Sequence, residues 1–141
     1  MTSRVLVTAS TGIDPATPAS RRETGILAQK ILDALGMGET QVELHLVDDK
    51  RMAAIHREFM GRTGPTNVLS FPDEDPENPD FAGNVVLSID TLLREADLYG
   101  QPALTHMTRL LAHAFLHLAG LDHGPEMDDL TETAVQTVTA I

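Results

Sequence analysis

The sequence predicts a single α/β (α+β) domain, a mixed four-stranded sheet with helices packed on it. Three observations lead there. Four short strand-like apolar stretches alternate with five stretches of helical periodicity. No segment repeats and no internal linker divides the chain. The 141 residues suit one domain that buries most of its apolar surface in a single core, and the 42% hydrophobic content is that of a globular protein.

Taken in order, residues 4–8 (RVLVT) read as a strand, followed by a polar, Pro-containing loop to about residue 20. Residues 21–36 read as a helix, because Ile26, Leu27, Ile31, Leu32 and Leu35 recur at three- and four-residue spacing before Gly36 and Gly38. Residues 41–47 alternate Val42, Leu44 and Leu46 against Glu43 and His45, the pattern of a half-buried strand. Asp48 or Asp49 caps the next helix, which runs to about Phe59 with Met52, Ile55 and Phe59 on its apolar face. A turn at Gly61–Pro65 leads to a strand at 67–71, then to an acidic, Pro-interrupted loop and a largely apolar strand at 83–89 suited to a sheet interior. Asp90 is the expected cap of a helix over 91–99. Further helices are predicted over 103–119, ending at Gly120, and over 126–139.

Composition narrows the functional classes. With no cysteine there is no disulfide framework, no Cys-type zinc finger and no thiol nucleophile. No run of 18 apolar residues and no signal-peptide pattern is found, so a soluble cytoplasmic protein is expected. Ten basic against 21 acidic residues give a net charge of −11, which opposes non-specific attraction to a polyanion. The charges are unevenly distributed. Lys50, Arg51, Arg57 and Arg62 fall close together, whereas acids gather at 73–80 and at 126–132. That spacing allows a local basic patch on an acidic protein as well as scattered solubilising charge.

The segment HAFLHLAGLDH carries the strongest chemical signal. His113 and His117 are four residues apart, so on a helix they share a face and can share a metal ion. A third ligand requires the helix to stop and the chain to turn back. Gly120 permits that turn, after which His123 can approach the same ion. Three imidazoles with a fourth position open to water form the donor set of a catalytic zinc site, and one zinc ion per chain is expected. The spacing is that of the extended zinc-protease motif. In that motif a Glu general base follows the first His directly, but here the residue is Ala114, which argues against a peptidase.

These residues resemble the motif H-G-x-L-H-L-x-G-x-D-H of the YbeY family, present here as His113, Leu116, His117, Leu118, Gly120, Asp122 and His123, with Ala114 for Gly. Pro65 to Pro72 (PTNVLSFP) is similar to the family's P-T-[DN]-V-L-S-F-P strand. Gly83-Asn84-Val85-Val86 is similar to its G-D-[IL]-V strand, with Asn84 for Asp. The similarity runs from about residue 40 to 135. It implies a zinc-dependent endoribonuclease acting on single-stranded ribosomal RNA, at the 3′ end of the small-subunit rRNA and in ribosome quality control. The ribosome or ribosome-associated proteins are implied as further partners, with residues 1–141 forming one hydrolase domain. One departure stands out: where members carry Y-R-G, this chain has Phe59-Met60-Gly61, so Met60 replaces an Arg tied to RNA handling. Arg62, two positions on, is the candidate substitute.

Other candidates follow from position. His106, two helical turns before His113, shares its face and could line the cleft or bind a substrate phosphate; the alternative is a solvated polar residue near the helix start. Arg109 could reach a phosphate near the metal or be an ordinary surface arginine. Asp122 could orient a ligand histidine or take a proton from water. Ser70 points opposite to Leu69 and Phe71 and could face the cleft. The catalytic candidates are therefore Asp122, Arg62 and Ser70, and the substrate-binding candidates are Arg109 and His106. Three rival functions are a zinc peptidase or amidase, a non-catalytic ribosome-assembly factor stabilised by zinc, and a module binding a basic ribosome-associated protein.

Overall fold

The computed structural model describes residues 4–10, 18–64 and 66–139. Its elements run β1 (Val5–Ala9), α1 (Arg21–Ala34), β2 (Gln41–Val47), α2 (Asp49–Met60), β3 (Val68–Pro72), β4 (Phe81–Ser88), α3 (Ile89–Leu98), α4 (Ala103–Leu118) and α5 (Pro125–Thr139). The strands form one sheet in the order β1-β2-β4-β3. β1 and β4 run parallel to β2, whereas β3 is an edge strand antiparallel to β4. The predicted mixed four-stranded α+β domain is the one observed. Most of the polar loop expected before residue 20, and Pro65 of the turn after α2, lie outside the described residues.

Alternation sorts the side chains between the two faces. Val42, Leu44 and Leu46 of β2 and Val85 and Leu87 of β4 point into the main core, where α1 and α4 cover the sheet and α5 packs against both helices. Val47 and Val86 point the other way, under Met52 and Ile55 of α2. α4 is the central helix of the larger core, and its Met107, Leu111 and Phe115 are fully buried. Because α4 is packed so deeply, the end of it that carries the paired histidines is held rigidly.

Helix starts follow local capping chemistry, with one departure from expectation. Ser20 and Glu23 form a reciprocal capping box on α1, and the Asp48 side chain caps α2. The cap of α3 is Ser88 rather than Asp90, since the Ser88 hydroxyl accepts from the Thr91 N–H. The Asp90 carboxylate instead accepts from the backbone N–H of Asp49 at 2.9 Å. Asp49 in turn accepts from the hydroxyls of Ser88 (2.9 Å) and Thr91 (2.7 Å) and pairs with Arg94 at 2.6 Å, so the first turns of α2 and α3 are stitched together. Burial pushes the Asp49 carboxyl up, but these donors together outweigh it and hold it below the usual carboxylate range.

β4 begins at Phe81, two residues earlier than expected, with a register irregularity against Gln41 and Val42. At that point Gly83 has φ +143°, and a Cβ there would lie 2.2 Å from the Phe71 carbonyl oxygen. Only glycine lets β3 and β4 approach this closely. Among the described residues, no helix is long and apolar enough to cross a membrane.

Candidate metal centre

The site is built where α4 stops. The Gly120 N–H bonds the His117 carbonyl (3.0 Å) and the Leu121 N–H bonds the Leu116 carbonyl (3.1 Å), the hydrogen-bond pair of a Schellman helix end. Gly120 takes the left-handed conformation this requires, with φ +95°. The chain therefore reverses within three residues of His117 and returns His123 to the two helical histidines before α5 begins at Pro125, a residue suited to a first helical position.

The three rings converge. Their centroids lie 4.7–4.9 Å apart, and one ligand atom from each falls within 4.8 Å of the others. The Nε2 atoms of His113 and His117 face each other at 3.2 Å. Two nitrogens bound tetrahedrally to one zinc would sit about 3.3 Å apart, given zinc–nitrogen distances of about 2.0–2.1 Å. His117 Nδ1 donates to the Leu121 carbonyl at 3.1 Å, which leaves its Nε2 as a bare lone pair aimed at the cluster centre. The turn that brings in His123 thus also fixes the tautomer of His117. Burial lowers the pKa of His113, and His117 and His123 lower it further against an opposing pull from Asp128. A neutral His113 is the form that binds metal. On distance, tautomer and charge, the three residues fit a divalent ion.

The opposite wall of this cleft, about 440 Å³ in volume, is the edge strand: Asn67, Val68, Leu69, Ser70 and Pro72 line it together with the three histidines. Ser70 faces the cleft side, and its hydroxyl donates to the Ala114 carbonyl of α4 at 3.2 Å. That bond ties the strand to the ligand-bearing helix and occupies the Ser70 proton. A second groove of about 540 Å³ lies on the other face of the sheet, lined in part by Thr8, His45, Arg51, Phe59, Phe71 and Asn84. It contains none of the clustered histidines.

The remaining candidates divide by location. Asp122 is exposed beside His123, and its carboxylate has no hydrogen-bond partner among the described residues. Arg62 is likewise exposed and without an ion-pair partner among them. His106, expected on the cleft face, is buried instead, with a side chain 7% exposed that bonds Glu95. Two full turns carry a residue only roughly back to the same face, and here that face meets α3. Arg109, expected to be free for phosphate, is committed to Glu132 of α5 at 2.8 and 3.0 Å and to Gln101. The pairing raises the Arg109 pKa and lowers that of Glu132. The Asn67–Leu69 wall was not expected as part of the site, although it lies within the PTNVLSFP motif; its edge position beside α4 is set by tertiary packing.

Comparison with known proteins agrees with this geometry. Residues 16–138 match the family model described as Endoribonuclease YbeY. The chain belongs to the YbeY family. Its relatives include Endoribonuclease YbeY of Oleidesulfovibrio alaskensis, 40% identical over an alignment of 156 positions that covers 96% of this chain and 92% of the relative. The protein of the same name from Nitratidesulfovibrio vulgaris is 42% identical over 76% of this chain and 77% of its own length. The solution structure of TM1509 from Thermotoga maritima superposes with a TM-score of 0.68 at 21% identity, covering 95% of this chain and 88% of that one, and so shares its fold. The family match spans the segment of α4 and its following turn that carries the histidine cluster.

Proposed function

We propose that this chain is a zinc-dependent endoribonuclease that cleaves single-stranded RNA during ribosomal RNA maturation, in the cytoplasm, with residues 1–141 acting as one hydrolase domain. The observation that carries this reading is the convergence of three imidazoles on an open cleft beside an edge strand. The names of the relatives supply the substrate class. When bound, a divalent ion there supplies Lewis acidity toward water and a phosphoryl oxygen. The rest belongs to the protein. His113, His117 and His123 would hold the ion through one ring nitrogen each, and the Leu121 carbonyl keeps His117 in the ligating tautomer. Ala114 leaves no Glu next to the first ligand, so the unpartnered Asp122 carboxylate is the proton acceptor we assign. Arg62 is the cation we assign to the RNA backbone in place of the family arginine at Met60. Ser70 acts as a strut of the cleft wall.

A second reading is favoured by Met60 and by the net charge of −11: a zinc-stabilised assembly factor without catalysis. Incubating the purified protein with single-stranded RNA, with and without a chelator and beside His113→Ala and His117→Ala, separates the two. The nuclease reading expects cleavage that all three treatments abolish. Cleavage surviving all three sinks it. An inactive protein whose stability depends on zinc supports the assembly factor, and cleavage of an unstructured peptide points to an amidase.

A further inference from the structure

We propose that Glu95 and His106 are positioning residues which, through Asn67, hold the β3 wall of the metal cleft at its distance from α4. The inference rests on the nuclease reading for its catalytic consequence. Its starting point is a hydrogen-bonded chain across three elements. His106 Nε2 on α4 meets Glu95 Oε1 on α3 at 3.0 Å, and a carboxylate can only accept, so the ring nitrogen donates. The same oxygen accepts from Asn67 Nδ2 at 3.1 Å, just before β3. The Asn67 side-chain oxygen accepts from the Val68 N–H at 2.7 Å, and the Asn67 carbonyl accepts from the Ser88 N–H at 2.9 Å. Asn67 is thereby held by both ends of its amide and by its backbone, and it lines the cleft.

Burial gives the chain its rigidity. The other His106 ring nitrogen, Nδ1, is buried with no partner, so the imidazole keeps a polar atom out of water in order to make this one bond. Tyr99 packs edge-on against the ring at 5.8 Å. A histidine serving substrate directly would instead present its ring to the cleft.

β3 pairs only with β4, so the sheet alone leaves its outer edge free to swing. Two ties to α4 prevent that. One is direct, from Ser70 to the Ala114 carbonyl. The other is the relay from Asn67 through Glu95 to His106. Asn67 and Ser70 are separated by about 10 Å of extended strand. Their anchors, His106 and Ala114, are separated by about 12 Å of helix. The spacings match, so the two ties hold the wall alongside the helix that carries His113 and His117. With only one tie, the strand could pivot and change the distance between the wall and the metal ligands.

The test uses the full-length, zinc-loaded protein and its Glu95→Leu, Glu95→Gln, His106→Phe and Asn67→Ala variants. Steady-state cleavage of a single-stranded RNA, zinc content and amide hydrogen exchange at Val68 and Ser88 are measured for each. Glu95→Leu, His106→Phe and Asn67→Ala should lower kcat by about 10- to 100-fold, the scale of a small misplacement at a reacting centre. KM should stay within about threefold, zinc should remain at one ion per chain, and Val68 and Ser88 should exchange faster. Glu95→Gln should behave like the parent in all of these, because its amide oxygen can accept both hydrogen bonds. Asn67→Ala cuts the chain at the cleft end and leaves the buried pair intact, so it carries the test if a core variant fails to fold. Unchanged kcat in the folded disruptive variants overturns the proposal, as does a loss of kcat with unchanged exchange, or a Gln variant as impaired as the Leu variant. If the zinc-loaded parent does not cleave RNA, the nuclease reading is what fails, and the exchange rates alone then decide the tie.

Discussion

At the scale of single residues, two positions bear most directly on activity and stability. Met60, 44% exposed at the end of α2, stands where the resemblance places an arginine. Under the nuclease reading, Met60→Arg restores the arginine that the resemblance expects at this position, and cleavage of single-stranded RNA should rise about tenfold, read as kcat/KM on one oligonucleotide. A charge-assisted contact to phosphate is worth about 1.5–3 kcal/mol, ample for that gain. No gain would mean that Arg62 already fills the role or that this surface does not meet RNA. Gly83 is the structural counterpart. A Cβ there would overlap the Phe71 carbonyl, and backbone cannot move aside as a flexible side chain can. Gly83→Ala should cost about 3 kcal/mol or more, measured by urea denaturation. A loss below 1 kcal/mol would show that β3 and β4 separate easily.

At the scale of elements, the contacts between helices decide what the sequence could reveal. The stitched first turns of α2 and α3 depend on Asp49, whose folded carboxyl lies below its usual value of 3.8. The linkage sign follows from that depression: between the folded and unfolded values the unfolded chain binds more protons, so stability rises with pH there. Asp49 contributes fully at neutral pH, begins to lose its effect as pH falls below about 4, and loses it completely once pH falls through the lower folded value. Asp49→Asn should therefore destabilise the protein by about 1–2 kcal/mol at pH 7, with the gap to the parent closing toward pH 2 in denaturation curves. A gap independent of pH would contradict this role.

The same contacts explain why Asp90 was the expected cap of α3 and Ser88 is the actual one. Both residue types cap well, and the choice was made by Asp49, forty-one residues from Asp90, which engages that carboxylate through its N–H. The paired strands, the deeply apolar α4 and the three histidines could be read because each pattern lies within one short segment. Gly120 could be read for the same reason, since its helix-ending role is local. The burial of His106 could not, because its partner Glu95 lies on another helix. Nor could the engagement of Arg109, which depends on Glu132 in α5 folding back beside α4. Helical spacing gives the face a residue occupies on its own helix, and what that face meets is decided by tertiary packing.

At the scale of the whole molecule, the candidate metal site joins the end of the central helix to the turn before α5. Filling it should therefore stabilise the entire fold. Zinc at about 100 times its dissociation constant adds about 2.7 kcal/mol, which for a domain of this size raises Tm by roughly 5–10 °C. The shift should appear on adding zinc to metal-free protein and vanish in His117→Ala, as read by calorimetry. An equal shift in the variant would place the ion elsewhere.

Under the nuclease reading, one ion held by His113, His117 and His123 is required for RNA hydrolysis. The most direct test of that requirement is a stoichiometric titration of metal-free protein with zinc, following cleavage of a single-stranded RNA at each addition. Activity should start near zero, rise linearly and level off at one zinc per chain, and His113→Ala should stay inactive throughout. Cleavage already complete in metal-free protein, or a plateau unrelated to one ion per chain, would contradict it.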